Sequence, residues 1–236
     1  MYKELLERIK ELSAIDQSYE LEIAERLLDA HLRLYPRDTD TWLRLFMIIS
    51  SDYLLDKEKA IACCKKIFTY DPYNTYALLA LFYIYYYQGY QGSSYEDEIV
   101  EKLLLFQTDN YEHMSLIELA RAWYYEDKKN TALKEKALLK SIVYCDYFVC
   151  NYEMLGYLYV MQNKLKEAQE CLQKGLSNIQ KVIDITDNEM IDKSNIECLF
   201  DEFFRGTSTT DSRRDRMQSV LDSCNEMLGH SLKGRL

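Results

Sequence analysis

A recurrence of about 36 residues constrains this chain more than any other feature. Ala24 and Ala60 are 36 apart, as are Pro36 and Pro72, and Trp42 and Leu78. Each interval holds two stretches of helical period. Trp42, Leu45, Phe46 and Ile49 share one face of a first helix, and Ala60, Cys64 and Ile67 share one face of a second. A unit of this size cannot bury both apolar faces alone, so successive units must stack to make a continuous core. The recurrence predicts an all-α chain of antiparallel helix pairs.

The clearest copy runs from Tyr152 to Gly175. Tyr152, Leu155, Gly156 and Tyr159 mark its first helix, Asn163 and Lys164 a turn, and Ala168, Leu172 and Gly175 its second. A copy with Leu116, Leu119, Ala120 and Trp123 precedes it, and its second helix carries Leu133, Ala137 and Lys140. Before the array, helices are predicted over residues 2 to 13 and 19 to 34. After it, helices are predicted near 188 to 204 and 213 to 228, with a loop at 206 to 212. The expected division is a repeat array over 1–185 and a C-terminal helical cap or tail over 186–236. The composition also breaks near that point: none of the 21 tyrosines follows Tyr159.

The formal net charge of −10 disfavours a nucleic-acid surface, which needs clustered cations, and suits a basic protein partner. Seven cysteines, an odd number in a chain of this size, read as small buried hydrophobes of a reducing compartment rather than as disulfides. No apolar run has the length of a membrane span, and the first residues lack an apolar signal core. A cytoplasmic location follows as the expectation, with no membrane contact. His31, His113 and His230 lie far apart, and no phosphate loop, metal-binding helix or nucleophile elbow is present. No catalytic residue, metal or cofactor is expected. Arg205, Arg213, Arg214 and Arg216 form the one basic run, and Asp211, Asp215 and Asp222 among them predict a salt-bridged surface.

With Tyr152, Leu155, Gly156, Tyr159, Ala168, Leu172 and Gly175 in this order, the chain resembles the tetratricopeptide repeat family over residues 19 to 185. Phe46 and Phe82 are bulky where that family usually has a small residue. The resemblance implies a right-handed superhelical α-solenoid whose concave face is lined by the first helices. The inferred groove holds Tyr76, Leu79, Tyr83, Tyr86, Arg121, Tyr124, Glu153 and Tyr157. Some family members clamp a peptide carboxylate with Lys, Asn and Arg in such a groove. Here Leu43, Met47, Leu79 and Tyr83 stand at the matching places, so that mode is not expected.

Tyrosine offers large contact area at low entropic cost and a hydroxyl for specificity. The expected function is therefore a scaffold or adaptor that binds a protein or peptide segment in this groove. The C-terminal tail is an alternative, intramolecular occupant. A dedicated acidic binding protein for one partner, an immunity protein or secretion chaperone, is the second reading. A helical enzyme is the third.

Overall fold

The structure is a computed structural model that describes residues 4, 8, 18–50, 56–87, 94–147, 149–188 and 210–233. Among them are ten helices: α1 (Ser18–Leu34), α2 (Thr39–Ile49), α3 (Lys57–Tyr70), α4 (Thr75–Tyr87), α5 (Ser94–Leu105), α6 (Tyr111–Asp127), α7 (Thr131–Tyr144), α8 (Val149–Met161), α9 (Leu165–Asn188) and α10 (Thr210–Lys233). The helices predicted over 2 to 13 and 188 to 204 fall almost wholly outside the described residues. The last helix begins at Thr210, inside the predicted loop, and the second helix of the clearest copy runs on to Asn188. The chain divides into two compact units, one holding α1 to α5 and the other α6 to α10.

In the first unit, α2 packs on α3 and α4 on α5, with α1 against α2. Leu45, Ile49, Ala60, Cys64, Ile67, Leu78 and Phe82 are all buried, so the apolar faces read from sequence meet one another. Both bulky residues, Phe46 and Phe82, are accommodated inside. The Asp38 side chain accepts from the Thr41 amide and caps α2. It also bonds the His31 ring at 3.0 Å, which ties the end of α1 to the start of α2. Lys59 on α3 reaches back to Glu25 and Asp29 on α1.

In the second unit, each helix packs on the next: α6 on α7, α7 on α8, α8 on α9 and α9 on α10. The connections are short. Asn130 caps α7 by accepting from the Leu133 amide, and the residue before it, Lys129, is left-handed at φ 53°. Asn163 is left-handed at φ 59°, and Lys164 N–H donates to the Tyr159 carbonyl as Asn130 N–H does to that of Tyr125. The two turns have one design and are 34 residues apart.

These turns and caps give a register different from the one read in sequence. Asp38, Asn74 and Asn110 each cap a first helix by accepting from the amide three residues on, and they stand 36 apart. The helix starts therefore align Trp42 and Leu78 with Met114. The turns align the helix ends at an offset of 34, which matches Gly156 with Ala122 and Tyr159 with Tyr125. Leu116 belongs to neither series. The cause is that α6 has 17 residues where α8 has 13, one extra turn. In α7 the buried stripe is Lys134, Ala137, Leu138 and Ser141: Ala137 is inside as expected, while Leu133 and Lys140 are exposed. Lys134 takes the alanine position by burying its stem and pairing its ammonium with Glu126.

Candidate interaction surface

The packing of α8 determines what its faces can do. Gly156 is the contact point with α9: an added Cβ would stand 2.5 Å from Leu172 Cδ2. Tyr152 and Leu172 share a core with Val149 and Ile179 on the same side. Helical periodicity then puts Met154, Tyr157 and Met161, spaced three and four apart, on the side away from Gly156. Met154 and Tyr157 are half-buried, and Met161 is 83% exposed. Trp123 of α6 holds the place matching Tyr157. Its indole N–H points at Met154 Sδ, 3.2 Å away. An aromatic and methionine surface thus runs from α6 onto α8.

Glu153 stands at its edge and is bonded by three side chains. Its side chain is 6% exposed. It takes hydrogen bonds from Arg213 Nη1, from Arg216 Nε at 2.8 Å and from the Tyr157 hydroxyl at 3.3 Å. Both arginines come from α10. The hydrogen bond to Glu153 holds the Arg216 guanidinium further above its already high range. Burial raises the Tyr157 phenol, and the neighbouring Glu153 raises it again. Burial likewise raises the Cys150 thiol, one helical turn before Glu153, although Arg213 pulls it down. Two members of the basic run, Arg213 and Arg216, pair with a carboxylate of α8, a partner that the sequence reading did not include.

Apolar contacts continue along α10. Met217, Leu221 and Cys224 form its buried stripe, and the first two join the core of Tyr152, Leu172 and Ile179. A Cβ on Gly175 would meet Met217 Cε at 2.4 Å and Tyr152 Cβ at 2.7 Å. One unit earlier, Ser141 holds the place of Gly175 and accepts a hydrogen bond from Asn151 of α8. Helix α10 packs on α9 at Gly175, beside Tyr152 of α8.

The residues inferred for the groove differ in what they offer. Tyr76 and Leu79 are buried in the first unit, where Tyr83 is half-buried; the Tyr86 side chain lies outside the described residues. In the second unit Arg121 is buried, bonded to Glu118 at 2.8 Å and to the Phe106 carbonyl at 2.7 Å. Tyr124 is half-buried against Tyr125. Tyr157 and Glu153 sit as described above. Sequence reasoning missed Trp123, because the two-residue slip in α6 put Arg121 at the surface and Trp123 inside. It also missed Arg213 and Arg216. Their signal was the pairing of two arginines three apart with the Met217, Leu221 and Cys224 stripe.

Among the described residues, no group of His, Cys, Asp and Glu could hold a metal ion, and no helix is long and apolar enough to cross a membrane. No protein-family model matches the chain, and no curated protein matches it. Solved structures do. Two crystal structures of MamA align with TM-scores of 0.52 and 0.51 at 18% and 16% identity. They cover 70% and 77% of this chain and 92% and 93% of their own. A crystal structure of PilW, described as a widely conserved type IV pilus biogenesis factor, aligns with a TM-score of 0.52 at 13% identity. It covers 92% of this chain and 91% of its own. MamA and PilW contain tetratricopeptide repeats. The chain has this all-α, TPR-like fold of antiparallel helix pairs.

Proposed function

We propose that the protein is an interaction scaffold that binds a segment of a partner protein on the first helices of its second unit. The observation that carries this reading is the half-open row of Trp123, Met154, Tyr157 and Met161. Aromatic and thioether side chains make large, adaptable contact area. They anchor protein interfaces better than charged side chains do. Glu153, Tyr157 and Arg216 at the edge supply hydrogen-bonding groups that fix register and orientation. The fold shared with MamA and PilW supports a scaffold in general and names no partner.

The test is affinity capture from native lysate with the wild-type chain, Tyr157→Ala and Leu139→Ser. Leu139 lies exposed on α7 and serves as the control. The expected outcome is a protein recovered by the wild type and Leu139→Ser but depleted at least tenfold with Tyr157→Ala, all three giving the same helical circular dichroism. Equal recovery by Tyr157→Ala would remove the surface from the account.

A further inference from the structure

The way α10 is held differs from the way the repeat helices are held. In 13 residues α8 buries Val149, Cys150, Asn151, Tyr152, Glu153, Leu155, Gly156 and Leu158. Among the side chains described in α10, from residue 213 to residue 229, three are buried: Met217, Leu221 and Cys224. Beside that stripe, its attachment includes one carboxylate, Glu153, shared by two guanidinium groups. Arg213 is 12% exposed, and its Nε is buried without an acceptor among the described residues. A buried donor left unmatched makes a seat less favourable than a fully paired one. Elements with few buried apolar contacts are the ones that open locally while the rest stays folded.

We propose that the end surface of α8 and α9 is a docking site for a basic amphipathic helix, which α10 occupies in the isolated chain and a partner helix takes by displacing it. The site defines the occupant. Glu153 accepts two arginines one turn apart, the notch at Gly175 takes an unbranched apolar side chain in the place of Met217, and Leu172 and Ile179 take a further apolar residue in the place of Leu221. A partner helix therefore carries two cations three residues apart, followed at once by an apolar stripe. The overall charge of −10 favours approach of such a helix. This deepens the scaffold reading and rests on it for the existence of a partner.

Hydrogen exchange on the full-length chain tests the latch without any partner. In Arg213→Ala/Arg216→Ala, amides of α10 are expected to exchange at least tenfold faster than in the wild type, with α6 and α7 unchanged. A synthetic peptide of residues 210–233, added in trans, is then expected to protect α8 and α9 of that variant and to leave the wild type unaffected. Glu153→Gln is expected to release α10 in the same way and to bind the peptide at least tenfold more weakly than the double arginine variant. The proposal is overturned if α10 exchanges as before in the double variant, if α6 to α9 accelerate together with α10, or if the peptide gives no protection. Any of these leaves the scaffold reading standing, because that reading is judged by capture with Tyr157→Ala.

Discussion

At Gly156 the two helices of the last pair come too close for a side chain. The nearest atoms to an added Cβ, Leu172 Cδ2 at 2.5 Å and Cγ at 2.7 Å, belong to a fully buried residue that has no room to retreat. Gly156→Ala gains helix propensity of about 1 kcal/mol, but overpacking costs about 1–3 kcal/mol. The expected result is a net loss near 1 kcal/mol, read as a fall in Tm of roughly 2–4 °C. Lys129 gives the opposite case. It holds φ at 53°, in the left-handed region, where an L side chain costs about 1–2 kcal/mol and glycine costs nothing sterically. Lys129→Gly is therefore expected to stabilise the chain by about 0.5–1 kcal/mol in urea unfolding. Asn163, at the matching place, already has a side chain that tolerates this conformation.

Pairs of residues decide how the helices sit on one another. Glu118 and Arg121 occupy the places that Tyr152 and Leu155 hold in α8, so an ion pair stands where the better copy has apolar contacts. Both side chains are nearly fully buried, and Lys140 adds a third charge at 3.5 Å from Glu118. Removing one partner of such a pair costs about 3–5 kcal/mol because the other charge is left buried, whereas an apolar replacement of both is often neutral. Arg121→Met should lose stability toward the lower end of that range, because Lys140 still faces Glu118, and Glu118→Met/Arg121→Met should recover most of it in chemical denaturation. The same pair explains what sequence reading missed. The apolar markers Leu116, Leu119, Ala120 and Trp123 imitate the signature two residues early, while the true positions hold charges that no hydrophobic pattern reveals. Where the signature is apolar, from Tyr152 to Gly175, the turn and the core were legible. The polar contacts of Ser115, Ser141 and Asn151, which join α6, α7 and α8, were not legible for the same reason.

At the scale of the whole chain, the repeat period was readable because it is written in residues that must be buried. The surface was only partly readable, because exposure depends on what covers a face, and the cover comes from far along the chain. Glu153 and Arg213 are 60 residues apart, and neither carries a local mark of the other. Tyr157 could be placed on the first-helix face from its position in the repeat, and placing Trp123 there needed the register that the structure supplies. The central claim is that a partner segment lies on the first-helix face of the second unit. Hydrogen exchange of the full-length chain, alone and saturated with the captured partner, tests it most directly. New protection confined to α6 and α8 around Trp123 and Tyr157, together with the edge at Glu153, is the predicted result. Protection on the outer face of α7 around Leu139 and Val143, with α8 unchanged, would contradict it.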